Sequence, residues 1–308
     1  MPVVVSDPVR EHFESALASL VRKLESDPTV VAAMLFGSLA YATVWERSDI
    51  DLVIVRDDRK ARSGSESVPL TEQGVLINAS VMTRAEFRRR IQSATGAFMS
   101  MNSLGRILFT RDEGLRRVFE DARILGEHDR RVALLRSAAG VVPLLDKTEK
   151  WLEVADDPHY AAVWLMDAVR ALAVVEVLLR GEIPNREALV RALELNPAFF
   201  ESAYTRFLGA PPTRGSVRTE LDRVDDYLVS RQEELFGLLL DYFREEATIR
   251  SLTEISATFE REYGIGTAAY LACPWLATHG VLVPASVPYH LTEHSRVELE
   301  AQAYLIPG

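Results

Sequence analysis

Apolar side chains recur at Val9, Phe13, Leu17, Leu20, Val21 and Leu24, a helical spacing whose start is marked by Ser6-Asp7-Pro8. Asp27-Pro28 is a turn signal that ends this helix. Val30–Phe36 then forms an unbroken apolar run of strand length, closed by Gly37-Ser38. Residues 39–47 suit a helical turn and loop, and residues 50–55 predict a second strand. The polar stretch 57–67 predicts an exposed loop. A third strand over 75–82 leads through Thr83 into a helix over Arg84–Gln92, where Thr83 and Glu86 spell a capping box. Residues 107–109 suit a short fourth strand, and residues 113–122 a helix. Strands alternating with helices in this way predict a small α/β sheet.

Beyond about residue 130 the pattern turns purely helical. Residues 132–154, 160–180, 185–193, 197–208 and 217–244 all carry apolar residues at helical spacing, separated by Asp-Pro, Gly-Glu-Ile-Pro and Gly-Ala-Pro-Pro breaks. A helical bundle is expected there. The last segment predicts a helix over 252–263, another over 267–278, a β-rich stretch over 281–291 and a final helix from Glu293, which is winged-helix order. The expected domains are therefore 1–128, 129–246 and 247–308.

Composition narrows the function classes. The 308 residues include 45 acidic and 35 basic side chains, a formal charge of −10, which disfavours broad attraction to nucleic acid or anionic lipid. A single cysteine, Cys273, excludes an intramolecular disulfide and any cysteine-built zinc site. No uninterrupted apolar run approaches the roughly 18 residues of a membrane span. A soluble, cytoplasmic protein without a membrane partner is expected.

The candidate chemistry lies at the end of the first strand and the start of the second. In a strand, side chains alternate between faces, so Asp49 and Asp51 point one way while Ile50 and Leu52 point into the core. Two carboxylates on one sheet edge repel each other unless a cation lies between them, and hard oxygen ligands of this kind suit Mg²⁺ or Mn²⁺. Gly37 permits close backbone approach, and Ser38 with the N–H groups after it offers donors to phosphate.

The phrase Leu35-Phe36-Gly37-Ser38, followed after ten residues by Asp49-Ile50-Asp51-Leu52-Val53-Ile54-Val55, resembles the signature of the DNA polymerase β-like nucleotidyltransferase superfamily. The likeness covers roughly the first 125 residues and is nearest to small bacterial and archaeal members, including kanamycin-type and minimal nucleotidyltransferases. It implies an α/β (α+β) nucleotidyltransferase domain with a small mixed sheet, here followed by an all-α bundle and a winged-helix-like module. It also implies transfer of an NMP from a Mg²⁺-bound NTP, ATP being the first choice, to a hydroxyl on a small molecule, a protein or an RNA end. Asp49 and Asp51 would be the catalytic metal ligands, and Gly37, Ser38 and Ser48 would contact the nucleotide.

The sequence departs from the family where active members carry a third acid. Counting back from the Thr83 helix start, Asn78 holds that position, with Ser80 as its same-face neighbour. An amide is a weaker metal ligand and no general base, which leaves a catalytically weakened regulatory protein as the alternative function. Asp146, Asp167 and Glu176 in the helical region are candidates for a substitute base, against the simpler alternative that they are solvated or pair with nearby arginines. The would-be recognition helix over 267–278 contains neither lysine nor arginine, so a protein contact, such as a homodimer through the C-terminal module, is expected in preference to duplex DNA.

Overall fold

The computed structural model describes residues 7–40, 44–58, 65–92, 105–122, 124–246, 248–292 and 294–307. The chain forms two compact units, Met1–Ile124 and Leu125–Gly308.

In the first unit the elements run α1 (Asp7–Ser26), β1 (Val30–Phe36), α2 (Gly37–Ala40), β2 (Ile50–Arg56), β3 (Ser65–Glu72), β4 (Val75–Thr83), α3 (Arg84–Gln92), β5 (Arg106–Thr110) and α4 (Glu113–Asp121). The five strands form one sheet in the order β3-β4-β2-β1-β5. β2 and β4 are parallel and every other pair is antiparallel, so the sheet is mixed. Helices cover both faces. Phe13, Ala16, Leu17 and Leu20 of α1 pack with Leu35, Ile50, Leu52, Ile54, Ile77 and Ala79 on one side. Phe87 and Ile91 of α3 and Leu115 and Phe119 of α4 pack with Phe36, Val53, Val55 and Met82 on the other. The alternating side chains of β2 are thus buried on both faces from Leu52 to Val55.

Two expectations change here. The polar loop stops early, because residues 65–72 form the edge strand β3, paired with β4 along its whole length. Its Ser-Glu-Ser-Val-Pro-Leu-Thr-Glu sequence is mostly exposed, as an edge strand tolerates, and its proline sits at the sheet margin where no inner strand needs its N–H. The β3–β4 turn places Gln73 (φ 51°) and Gly74 (φ 81°) in the left-handed region, as a two-residue hairpin requires. Glu72 then accepts from Ser19 (2.7 Å) and Lys23 (2.6 Å) of α1, fastening the hairpin to the helix. The capping box is half formed: Thr83 Oγ1 accepts from the Glu86 N–H at 3.2 Å, while the Glu86 carboxylate turns to Arg89 and Arg90.

The second unit contains α5 (Glu127–Glu153), α6 (Pro158–Leu179), α7 (Ala188–Leu195), α8 (Pro197–Phe200) with a π-helical turn (Glu201–Arg206), α9 (Arg214–Val229), α10 (Gln232–Leu235) and α11 (Gly237–Glu246). The helix expected over 217–244 is broken into three, because Arg231 (φ −122°, ψ 13°) and Phe236 (φ −108°, ψ 9°) leave helical geometry. After β6 (Arg250–Ser251) come α12 (Leu252–Tyr263), α13 (Gly266–Thr278), β7 (Val283–Tyr289) and β8 (Leu299–Leu305). Ser251 and Glu254 form a complete capping box on α12, and Gly264 (φ 65°) ends that helix.

The final helix expected from Glu293 is corrected to a strand; Glu293 itself lies outside the described residues. β8 pairs with β7 along seven residues and with β6, burying Ala303 and Tyr304. Its Leu-Glu-Ala-Gln-Ala sequence favours a helix locally, and cross-strand pairing overrides that preference. One apolar core continues from Leu134 of α5 through Trp275 of α13 to Tyr304.

Candidate active site

Ile50 (0% exposed) and Leu52 (2%) fix the face of β2 that is turned toward α1. By alternation, Asp51 lies on the opposite face, with Val53 and Val55. Register brings its neighbours into place: Phe36 of β1 pairs with Asp51 on one side, and Asn78 of β4 pairs with it on the other. Asp49 stands two residues earlier, just before the strand, and Asn78 Nδ2 donates to its Oδ2 at 2.5 Å. Asp49 and Asp51 at the start of β2 and Asn78 of the neighbouring β4 therefore form one polar group.

Gly37 closes this group from the β1 side. Its φ of +71° lies in the left-handed region, and a Cβ there would come within 2.2 Å of Asp51 Oδ2. Backbone conformation and space both demand glycine, so the turn can lie directly against the carboxylate. Ser38 follows, half-buried, as the second residue of α2. Ser48 belongs to the turn on the other side: its hydroxyl accepts from the Trp45 N–H at 3.1 Å, and its own N–H donates to the Trp45 carbonyl at 2.9 Å.

Electrostatics set Asp51 apart. Its carboxyl is raised above the ordinary value of 3.8, by burial first and the neighbouring Asp49 second, with the Asn78 amide pulling the other way. Two acids two residues apart in the chain, one desolvated, make a place where positive charge is stabilised. Among the described residues no group of three or more His, Cys, Asp or Glu side chains is placed to hold a metal. Asn78 is why the pair remains a pair: the position facing Asp51 on β4 carries an amide, and that amide points its N–H at Asp49. The donor set fits one divalent cation through two carboxylate groups.

The helical-region acids have their own partners in the second unit. Asp167 stands 3.6 Å from Arg170 on the exposed side of α6. Glu176 is 2% exposed and accepts from Tyr227 Oη (2.5 Å), Asn196 Nδ2 (3.0 Å) and Arg180 Nε (3.1 Å). Burial alone would raise the Glu176 carboxyl, but the hydrogen bonds from Tyr227, Asn196 and Arg180 outweigh it and hold the group below its ordinary value. This is a satisfied anchor joining α6 to α9. Asp146 differs: it borders a cavity of about 340 Å³ between α5, α9 and α13, and burial, then Glu149 and Asp225, push its carboxyl upward. Asp225 is held by Trp275 Nε1 and His279 Nε2, each at 2.9 Å.

Sequence reasoning passed over the Asn78–Asp49 hydrogen bond and the turn 45–48. The signal for the second was present in Trp45, an aromatic residue followed by the polar run Glu46-Arg47-Ser48 that leads into Asp49.

Comparison with known proteins places the first unit's sheet in a known family's matched stretch. The model of the polymerase beta nucleotidyltransferase family matches residues 19–113, the stretch that contains the whole sheet. No curated protein matches the chain. A solved structure of a nucleotidyltransferase-like protein from Exiguobacterium sibiricum superposes with a TM-score of 0.59 at 15% identity, covering 96% of this chain and 99% of that one. At that identity the likeness is one of fold.

Proposed function

Because residues 19–113 match the polymerase beta nucleotidyltransferase family, we propose that this chain moves a nucleoside monophosphate from an NTP, ATP being the first choice, to a hydroxyl-bearing acceptor. The observation that carries the reading is the Gly37 turn pressed against Asp51 at the start of the central strand β2, with Asp49 beside it in contact with Asn78. Asp49 and Asp51 would hold Mg²⁺ or Mn²⁺. When bound, the cation would neutralise the triphosphate and help hold attacking and leaving oxygens in line. Gly37 keeps the turn free of a side chain, and the N–H groups and Ser38 hydroxyl of that turn are donors for phosphate oxygens. Ser48 shapes the approach by closing the turn before Asp49.

A calorimetric titration of Mg²⁺–ATP into wild type and the Asp49→Asn, Asp51→Asn double variant tests the reading. Loss of Mg²⁺-dependent binding in the variant is expected; unchanged affinity would overturn it.

One observation favours a second reading. With Asn78 where a third acid is expected, that position on β4 carries an amide, which cannot accept a proton from an acceptor hydroxyl. A nucleotide-binding regulatory protein would bind Mg²⁺–ATP without modifying any acceptor, and product analysis after incubation with radiolabelled ATP separates the two.

A DNA-reading role finds no support in α13. Ala268, Ala269, Ala272, Cys273, Trp275 and Leu276 of that helix are buried in the bundle core, and it carries no cationic side chain. The hairpin β7–β8 exposes Tyr289, Leu291, Val297 and Leu299, which supports contact with another protein surface, a second copy included.

A further inference from the structure

We propose that Trp45 is the platform on which the base of the bound nucleoside triphosphate stacks, an inference that rests on the nucleotide-binding reading above. The chain has four tryptophans. Trp275 is buried and Trp151 and Trp164 are half-buried in the second unit, whereas Trp45 is 56% exposed. An indole left in water forgoes the largest burial gain of any side chain, which a planar ligand stacked on it would recover.

The backbone that carries the indole is anchored. Val44 before it (1% exposed) and Ile50 after the turn (0%) are both anchored in the core. Between them the reciprocal Trp45–Ser48 hydrogen bonds close the turn, at 2.9 and 3.1 Å. Such a turn keeps the Cα atoms of residues 45 and 48 within about 7 Å. One further residue, about 3.8 Å along the chain, reaches Asp49, so the indole is rooted within about 11 Å of the acidic pair.

The neighbouring charge has the right sign. The Arg47 guanidinium lies 5.6 Å from the Trp45 ring centroid, within cation–π range. Among the described residues no carboxylate pairs with Arg47. An exposed indole and a guanidinium that lies over it without a carboxylate partner, on one turn rooted close to Asp49, suit a ligand that is both aromatic and anionic. A nucleotide is that ligand, with its base on the indole and its phosphates toward Gly37 and Ser38. Stacking on an aromatic face tolerates any base, since each has a π-face.

The test uses the full chain and two ligands that differ by the nucleoside. ATP and inorganic tripolyphosphate, each with Mn²⁺, are titrated calorimetrically into wild type, Trp45→Ala and Trp45→Phe. Trp45→Ala should weaken ATP binding by about ten-fold and leave tripolyphosphate binding unchanged. Trp45→Phe, which keeps an aromatic face, should lose less. In wild type ATP should quench tryptophan fluorescence where tripolyphosphate does not, and the quench should vanish in Trp45→Phe. Equal ATP affinity in wild type and Trp45→Ala overturns the proposal, as does an equal loss for both ligands, which would make the residue a structural part of the turn. If wild type binds neither ligand, the nucleotide reading itself fails and this inference with it.

Discussion

Asp51 in the first unit and Glu176 in the second are both acids withdrawn from water, and they are treated in opposite ways. Glu176 receives three donors and is held below its ordinary value. Asp51 receives an acidic neighbour and a glycine turn, and its carboxyl is raised. A buried charge that is fully hydrogen-bonded stabilises a fold, while one left short of donors is a standing cost that a bound cation would relieve. The contrast separates architecture from chemistry better than burial does, since Glu176 is the more buried of the two.

The comparison is broken most severely at Glu176. Glu176→Ala should destabilise the second unit by about 3–5 kcal/mol, because Tyr227 and Asn196 lose their acceptor inside the core. Urea unfolding followed by tryptophan fluorescence reports this, three of the four tryptophans lying in that unit. A loss under about 1 kcal/mol would show that the network is ornamental. The same group sets a pH dependence. A depressed carboxyl contributes stability that is present above the ordinary value of 4.5 and is lost as pH falls through its lower, folded value. Glu176→Gln should therefore flatten the acid limb of the second unit's stability profile.

At the other pole, Gly37→Ala should cost about 2 kcal/mol or more, through a left-handed φ and a Cβ set against the Asp51 carboxylate. Adding Asp51→Ala removes the steric part and should restore some of that stability. A strictly additive double variant would separate the turn from the acid.

Smaller again is Asn78→Asp, which places a third carboxylate opposite Asp51. It should tighten Mn²⁺ binding by about 1–3 kcal/mol. Ser80→Asp, two residues along and opposite Val53, should not. A gain only at Ser80 would mean that the metal lies farther along the strand.

The least effect is expected at Asp146. Its raised carboxyl destabilises the ionised form, so Asp146→Asn should raise the melting temperature at pH 7. That gain should shrink as pH is lowered toward the ordinary 3.8. A lower melting temperature at pH 7 would show that Asp146 has a stabilising partner.

What the sequence determined by itself was whatever is written in consecutive residues. The strand Val30–Phe36, the turn at Gly37 and the alternation that sets Asp49 and Asp51 against Ile50 and Leu52 follow from the chain's own period and from one residue's freedom at positive φ. The long helices α5 and α6 were legible for the same reason. What only the tertiary structure decided were the partners supplied from far along the chain. β3 is a strand because β4 pairs with it, although its own residues favour a loop. β8 is a strand because β6 and β7 flank it, although its residues favour a helix. Asn78 meets Asp49 across 29 positions, and Tyr227 meets Glu176 across 51. Those pairings decide how well each carboxylate is satisfied, because burial and the donors the fold brings from far along the chain add to what sequence neighbours such as Asp49 and Arg180 supply.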